Sequence, residues 1–175
     1  MGGADKAEVM VAGTRLLDRV LAAAPRAGRR LVVGPIRPTQ EPVEWCREQP
    51  PGGGPVPGLA AAMPSVGSPY AVVLAVDLPL VDHAVVAQLL TAAVGRDGAI
   101  GVDLTGREQP LLASYDVAAL RTALTALGPL AGASMRSVLA RLDVARVEVG
   151  SAGLDCDTWA DVAQAETAAK RFGTG

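Results

Sequence analysis

The tightest constraint on the fold comes from one continuously apolar segment, Ala71-Val72-Val73-Leu74-Ala75-Val76, which runs directly into Asp77-Leu78-Pro79. A short apolar run rich in β-branched residues is typical of a parallel strand whose two faces are both covered. The segment is much shorter than the roughly 20 residues that cross a bilayer. We therefore predict a buried strand over 71–76 that places Asp77 at its carboxyl end.

Segments typical of helices and of strands alternate on both sides of this strand. Before it, apolar residues at helical spacing predict a helix over 14–24 with Thr14 as its cap, and a branched run predicts a strand over 30–34. After it, the pattern predicts helices over 82–94, 116–127, 134–142 and 158–170. Their caps would be Asp82, Asp116, Ser134 and Thr158, and Asp161 would complete a capping box with Thr158. Strands are predicted over 99–103, 110–115 and 144–149. This alternation favours one α/β domain over residues 1–170 with a mostly parallel, doubly wound sheet, and a flexible tail over 171–175.

Residues 35–58 hold most of the prolines and the run Gly52-Gly53-Gly54. We expect an irregular loop here, with a brief strand over 43–45. Glycine-rich backbone lets a flat base or a phosphate approach closely, although a flexible Pro/Gly loop explains the composition equally well. The segment matches neither a Walker A motif nor a dinucleotide-binding GxGxxG motif.

Composition argues against several classes of partner. Aromatic residues make up only 3% of the chain and the net charge is −2, which disfavours both base-stacking platforms and a basic phosphate-binding surface. Cys46 and Cys156 match no zinc or CxxC pattern, and the N-terminus does not resemble a signal peptide. We expect a cytoplasmic protein with no nucleic-acid and no membrane partner.

Three carboxylates are the main candidates for chemistry. Ligands of open parallel sheets bind beyond the carboxyl ends of the strands, and there the Asp77 carboxylate is suited to holding Mg²⁺ against a polyphosphate. A role in a turn or helix cap is the alternative. Asp155 and Asp157 alternate with Cys156, so on an extended segment both carboxylates point to one face. Because Asp157 precedes the capping residue Thr158, a capping role is the alternative there.

The remaining polar candidates also have two interpretations each. Lys6 can place a cation beside a phosphate, or it can belong to a frayed terminus. Arg107 and Gln109 can reach an anionic substrate, or they can decorate a turn. His83 is the sole histidine and lies in the first turn of a helix, so we expect it at the surface and find no Ser-His-Asp or Cys-His set.

Five short motifs, taken in their order along the chain, resemble those of the molybdenum cofactor guanylyltransferase family, the MobA-like nucleotidyltransferases. Each motif is weak alone, whereas the ordered set is fairly specific and spans Met1 to about Glu166. The motifs are Met1-Gly2-Gly3-Ala4-Asp5-Lys6, Gly54-Pro55-Val56-Pro57-Gly58, Val76-Asp77-Leu78-Pro79, Arg107-Glu108-Gln109-Pro110 and Asp155-Cys156-Asp157-Thr158-Trp159-Ala160-Asp161. The resemblance implies a Rossmann-like, three-layer nucleotidyltransferase fold.

The resemblance also implies a reaction, in which the terminal phosphate of molybdopterin attacks the α-phosphate of GTP and releases pyrophosphate. Lys6 and Asp77 would be catalytic, with Asp77 holding Mg²⁺. Arg107, Gln109, Asp155 and Asp157 would bind the acceptor. Nucleotide binding would involve Gly2, Gly3, Lys6, Glu48, Gly54 and Gly58. Partners would be GTP, molybdopterin and possible recipients of the product, which are molybdoenzymes or their chaperones.

The chain departs from the family pattern at its beginning. The family opens with a hydrophobic strand and a Leu-Ala-Gly-Gly-x-x-x-Arg-Met loop, and this chain begins at what resembles the final Met of that loop. We expect the first strand and most of the phosphate loop to be missing, because of either a late start assignment or a shortened protein. In a shortened protein, the strands at 31–33 and 71–76 must pair directly or accept a strand from elsewhere.

Two alternatives to guanylyl transfer remain open. One is a cytidylyltransferase, or a transferase that acts on another phosphorylated acceptor, which the Asp155-Cys156-Asp157-Thr158 segment allows. The other is a non-catalytic nucleotide-fold module, which the absent phosphate loop favours.

Overall fold

The structure is a computed structural model that describes the backbone of residues 5–172 and the side chains of residues 5–169. The predicted nucleotide ligands Gly2 and Gly3 lie outside the described residues, as does the end of the predicted tail, 173–175. The last helix continues to Phe172, two residues into the predicted tail, and the flexibility of that tail stays a prediction.

The described residues form eight β-strands and six α-helices. The strands are β1 (Met10–Val11), β2 (Thr14–Arg15), β3 (Leu31–Val33), β4 (Glu44–Cys46), β5 (Tyr70–Leu74), β6 (Gly98–Asp103), β7 (Glu108–Asp116) and β8 (Val144–Gly150). The helices are α1 (Leu16–Ala22), α2 (Pro55–Ala62), α3 (His83–Ala92), α4 (Val117–Ala126), α5 (Met135–Leu139) and α6 (Trp159–Phe172). No helix in this described part is long and apolar enough to cross a membrane.

The central sheet has the strand order β5-β7-β6-β8. Strands β5 and β6 both pair antiparallel with β7, and β8 pairs parallel with β6. Three of the four strands therefore run in one direction, as the prediction of a mostly parallel sheet requires, and β7 alone runs against them. A short turn at residues 104–107 joins β6 to β7, and that hairpin reverses the chain without a crossover helix.

Helices cover both faces of the central sheet. Neighbouring strand residues point to opposite faces, so Ala99 packs with α3 on one side and Ile100 packs with α4 and α5 on the other. The same alternation separates Leu112 from Ala113 on β7. The molecule is therefore the three-layer α/β domain that the sequence predicts.

The strands β3 and β4 form a separate parallel pair. In the part of the chain that the structure describes, β3 pairs only with β4 and β5 pairs only with β7. Neither arrangement expected for a shortened protein, direct pairing of 31–33 with 71–76 or an accepted strand, occurs there. All residues of β5 are half-buried and not fully covered, in contrast to the prediction for this apolar run.

Side-chain caps begin most of the predicted helices. The carboxylates of Asp82 and Asp116 accept hydrogen bonds from the backbone N–H groups of Val85 and Ala119, at 2.9 and 2.8 Å. Ser134 caps α5 in the same way. The expected cap Thr14 is wrong, because Thr14 lies in β2 and α1 begins after Arg15.

The long proline-rich segment is more ordered than the sequence suggests. Its predicted brief strand is confirmed as β4, but α2 begins at Pro55, inside the expected loop. Gly54 precedes α2 with φ 92°, a conformation that a side chain would strain. Proline at the first helical position lacks only an N–H group that has no partner there in any case.

Candidate active site

Asp77 follows β5 at its carboxyl end, as predicted, and the residues after it hold it in place. Leu78 is only 2% exposed and Pro79 is fully buried. The Pro79 carbonyl accepts a hydrogen bond from Arg19 Nε at 2.8 Å, which ties this turn to α1. The Asp77 side chain stays 22% exposed, so its carboxylate is fixed by a buried turn and can still reach a ligand.

Lys6 lies between two of the predicted carboxylates. Its Nζ donates to Asp77 Oδ2 at 2.8 Å and to Asp157 Oδ1 at 2.5 Å. A short turn over Lys6–Glu8, which Asp5 caps through the Ala7 N–H, presents the side chain. Partial burial lowers the pKa of Lys6, but the two carboxylates outweigh that effect and raise it above its usual value. The ammonium group is therefore firmly charged.

The segment 155–157 is docked against the backbone of Asp77. The Cys156 N–H donates to the Asp77 carbonyl at 2.9 Å, and the Cys156 side chain is 1% exposed. Burial, together with nearby carboxylates, raises the pKa of the Cys156 thiol to about 11, so the thiol is not a nucleophile at neutral pH. Burial alternates as expected, since Cys156 is buried between the more exposed Asp155 and Asp157. A common face for the two carboxylates stays a prediction, because Asp157 contacts Lys6 and Asp155 contacts Arg107.

The start of α6 stabilises the same segment. Asp161 Oδ2 accepts from the N–H groups of Asp157 and Thr158, and Thr158 Oγ1 accepts from the Asp161 N–H. This is the reciprocal capping box that the sequence predicts. The capping side chains are Thr158 and Asp161, and the Asp157 carboxylate contacts Lys6.

Arg107 and Gln109 lie on the turn from β6 to β7 and its following strand. Arg107 Nη1 is 3.6 Å from Asp155 Oδ2, and its side chain is 68% exposed. Gln109 Nε2 donates to Asp103 Oδ2 at 3.0 Å. This brings the predicted acceptor-binding residues Arg107, Gln109 and Asp155 to one side of the carboxyl end of β5.

A cavity of about 200 Å³ lies between these groups. Asp77, Arg107, Gln109 and Asp155 all line it, together with Met135 from the start of α5. Met135 carries no signal of a site in the sequence, because a lone methionine at helical spacing is typical of a core position. The structure thus places Asp77 and the predicted acceptor-binding residues Arg107, Gln109 and Asp155 around one opening. Lys6 and Asp157 are not among the residues that line it, although both contact the site through the Lys6 ammonium group.

The other predicted nucleotide-binding residues have evident structural roles. Glu48 Oε1 accepts from the Gly52 N–H at 2.7 Å, and such backbone hydrogen bonds lower the pKa of Glu48. Gly58 lies inside α2, where an added Cβ would be 3.3 Å from Val33 Cγ1 on β3. Glu48 therefore shapes the glycine-rich loop, and Gly58 permits close packing of α2 on β3. Their predicted contacts with a nucleotide remain predictions.

The donor atoms fit a small divalent cation only in part. Among residues 5–169 no group of three or more His, Cys, Asp or Glu side chains is placed to hold a metal. The Asp77 and Asp157 carboxylates nevertheless both contact one ammonium nitrogen. Mg²⁺ characteristically binds one or two carboxylates, with phosphate oxygens and water completing its shell. The pair suits that role in the presence of a polyphosphate.

Comparison with known protein families identifies the chain. The family model described as "MobA-like NTP transferase domain" matches residues 1–147. The chain belongs to this MobA-like NTP transferase family. The match confirms the resemblance to this family and covers four of the five ordered motifs, whereas the fifth, at residues 155–161, lies beyond it. No curated protein matches the chain significantly.

Solved structures share the MobA-like fold at low sequence identity. The 2-C-methyl-D-erythritol 4-phosphate cytidylyltransferase from Thermus thermophilus matches with a TM-score of 0.76 and 24% identity, covering 94% of this chain and 93% of that chain. The molybdopterin-guanine dinucleotide biosynthesis protein A from Archaeoglobus fulgidus matches with a TM-score of 0.73 and 23% identity, covering 97% and 92%. These similarities establish the fold of the MobA-like domain.

Two polar residues that support this MobA-like site escaped the sequence analysis. Asp103 binds the β6–β7 turn, and Arg19 binds the turn after Asp77. The sequence Asp103-Leu104-Thr105-Gly106 carries a turn signal that points to Asp103. Arg19 had no such signal, because its partner is a backbone carbonyl that lies 60 residues away.

Proposed function

We propose that this chain transfers GMP from GTP to the terminal phosphate of molybdopterin and releases pyrophosphate. The observation that carries the proposal is the contact of Lys6 Nζ with both Asp77 and Asp157, beside the cavity that Arg107 and Gln109 line. One cation and two carboxylates at the carboxyl end of a strand form a site for a nucleoside triphosphate and its metal. The adjoining cavity leaves room for an acceptor.

Asp77, with Asp157 beside it, would hold Mg²⁺. The ion supplies charge neutralisation and orientation for a triphosphate when it is bound. Lys6 would then exchange one carboxylate partner for phosphate oxygens. An ammonium group has three donors, so it can contact the remaining carboxylate and the phosphate together. Lys6 enters that exchange as a charged group, because its two carboxylate partners raise its pKa.

The chain's own residues act by positioning and by charge. A phosphate oxygen of the acceptor attacks the α-phosphorus, the bond from the α-phosphorus to the bridging oxygen breaks, and pyrophosphate leaves with that oxygen. Lys6 stabilises the negative charge that develops on the leaving group. Arg107 attracts the anionic acceptor and Gln109 orients it, so that the two phosphates meet in line. No protein nucleophile is needed, in agreement with the buried, protonated Cys156 thiol.

The test is a transfer assay with GTP, Mg²⁺ and molybdopterin, with the dinucleotide product measured by chromatography and mass spectrometry. We expect Asp77→Ala to lower kcat/KM at least about 100-fold, because a charge-stabilising group of the reaction is removed. Asp143→Ala is the matched control, since Asp143 is an exposed carboxylate paired with Arg96 away from the cavity. A folded chain that neither binds GTP nor forms product would instead support the non-catalytic module.

Cytidylyl transfer is the second candidate. It is supported by the T. thermophilus cytidylyltransferase, whose fold matches as well as that of the A. fulgidus protein. Competition decides between the two, with GTP and CTP at equal concentration and with molybdopterin or 2-C-methyl-D-erythritol 4-phosphate as acceptor. Product from CTP alone would overturn the guanylyl proposal and leave the nucleotidyltransferase assignment standing.

A further inference from the structure

The side chain of Asp103 is fully engaged by the turn that connects β6 to β7. Its Oδ1 accepts from the Thr105 N–H at 2.8 Å, from Thr105 Oγ1 at 2.7 Å and from the Arg107 N–H at 3.1 Å. Its Oδ2 accepts from Gln109 Nε2 at 3.0 Å. One oxygen thus holds the turn, while the other holds a residue that lines the cavity.

The backbone of Asp103 is fixed as well. It pairs with Gly150 at the end of β8. The next turn packs directly on it, since a Cβ added at Gly153 would lie only 2.9 Å from Asp103 Cβ. Gly153 in turn leads into the segment that carries Asp155. Asp103 is therefore a rigid anchor between the two chain segments that flank the cavity.

A carboxylate partner decides which way the Gln109 amide points. An ionised carboxylate only accepts hydrogen bonds, so the amide nitrogen must face Asp103 and the amide oxygen must face away. Hydrogen bonds from Thr105 and its neighbours lower the pKa of Asp103 to about 2, so the carboxylate is ionised at any working pH. In the described part of the chain no donor pairs with Gln109 Oε1, which leaves this oxygen for a ligand.

We propose that Asp103 is a positioning residue that fixes the direction of the Gln109 amide, so that the cavity presents the Gln109 carbonyl oxygen to an N–H or O–H donor of the acceptor substrate. This inference rests on the proposed function, because it assigns the cavity to the acceptor. It adds a specificity element: the acceptor carries a hydrogen-bond donor beside its anionic group, and a purely anionic acceptor binds less well.

The Asp103→Asn variant separates this role from a structural one. The new amide oxygen can still accept the three hydrogen bonds of the turn, so its NH₂ group faces Gln109. The Gln109 amide must then reverse and present its own NH₂ group to the cavity, where it faces the hydrogen-bond donor of the acceptor substrate. We expect the KM for molybdopterin to rise about tenfold, as for the loss of one hydrogen bond, while kcat and the KM for GTP stay within about twofold.

A second substitution restores the original direction. In D103N/Q109E, the introduced carboxylate accepts from the new amide with one oxygen and presents the other oxygen to the cavity. In Q109E alone, two carboxylates face each other. We expect the double variant to bind molybdopterin better than either single variant, which is a coupling that a double-mutant cycle measures. A KM increase equal to the product of the two single increases would overturn the proposal.

Thr105→Val is the control for damage to the turn. It removes the Thr105 hydroxyl from Asp103 Oδ1 and leaves the bond from Asp103 to Gln109 in place. We expect its KM for molybdopterin to change less than about twofold, since the turn keeps its two backbone hydrogen bonds. A KM increase as large as that of D103N would show that Asp103 acts only by stabilising the turn, and would overturn the proposal.

The side-chain amide signals of Gln109 in ¹⁵N NMR test the orientation without any enzyme assay. In the unmodified chain we expect one of the two Gln109 amide protons to be protected from exchange by Asp103, and in D103N we expect that protection to be lost. Equal exchange in both proteins overturns the proposal. If neither the unmodified chain nor D103N transfers a nucleotide, but the Gln109 amide proton is protected in the first and not in the second, the proposed function has failed and the Asp103 assignment stands.

Discussion

The strands of the central sheet, β5 to β8, are five to nine residues long, whereas β1 to β4 have only two or three residues each. Residues 70–150, the central region, supply most members of the two large apolar clusters that pack against the sheet. Residues 5–46, the N-terminal region, contribute to smaller apolar clusters, one of which contains Ala7, Leu17 and Leu21. They also connect their short elements through ion pairs, such as Arg15 with Asp18 and Arg37 with Asp5. We therefore expect the central region to respond most to loss of apolar volume, and the N-terminal region to respond also to loss of a charged group.

The candidate site draws on both regions. Asp77 follows a central strand and Asp155 follows the end of β8, whereas Lys6 belongs to the N-terminal region. A rigid apolar scaffold therefore positions the carboxylates and the cavity, and an ionic contact brings the cation to them. Because this contact is partly exposed, salt screens it more than it affects the buried scaffold.

Removal of apolar volume from the central region has the largest expected effect. Leu120 on α4 is fully buried in the cluster that contains Ile100 and Tyr115. We expect Leu120→Ala to lower the free energy of unfolding by about 2–5 kcal/mol, because the cavity that it leaves cannot close. Urea denaturation measures this change. Leu104→Ala is the matched control, since Leu104 is 72% exposed, and an equal loss there would contradict the description of the core.

The buried carboxylate of the N-terminal region gives an intermediate effect. The Asp18 side chain is 1% exposed, and it accepts from Arg15 Nε at 2.7 Å and from the Gln40 N–H at 2.9 Å. We expect Asp18→Ala to cost about 1–3 kcal/mol, because two donors lose their partner. In this variant, native-state hydrogen exchange should become faster for residues 5–46 and change less in the central sheet. Uniform acceleration over both regions would show that they unfold together.

Most of the central region could be predicted from the sequence, because its signals are local. The apolar strand patterns and the caps Asp82, Asp116 and Ser134 involve residues a few positions apart. The caps are confirmed, and the strands form where predicted, although β5 is less buried than its pattern predicts. The antiparallel direction of β7 has a local cause too, the short turn after Asp103. It was not inferred, because strand direction depends on the connection and not on the apolar pattern of the strand.

The N-terminal region and the contacts within the site were harder to predict. Lys6 is separated from Asp77 by 71 positions and from Asp157 by 151, so no periodicity relates them. The ordered motifs identified these residues as candidates, but only the packing of the segment 155–157 on the Asp77 backbone shows that they meet. The start of α2 at Pro55 was also missed, because its proline and glycine content is typical of a loop.

The ionic contact of Lys6 is expected to give the smallest effect on stability. We expect Lys6→Met to change the free energy of unfolding by less than about 1 kcal/mol at pH 7, since the pair is partly exposed and screened by solvent. Because folding raises the pKa of Lys6, its contribution is fully present below the unfolded pKa of about 10.4 and is lost as the pH rises through the higher folded pKa. Unfolding curves of both proteins from pH 7 upward measure the difference.

Arg29→Met is the control for this last variant, because Arg29 forms an exposed ion pair with Glu44 away from the site. Both substitutions should cost little in stability, whereas only Lys6→Met should weaken GTP binding in calorimetry. The decisive quantity is the difference in free energy of unfolding between the unmodified chain and Lys6→Met. If it stays constant between pH 7 and pH 12, or grows as the pH rises above about 10.4, the contacts of Lys6 with Asp77 and Asp157 do not stabilise its charged form. The ionic description of the N-terminal part of the site would then be wrong, and the central region would be unaffected.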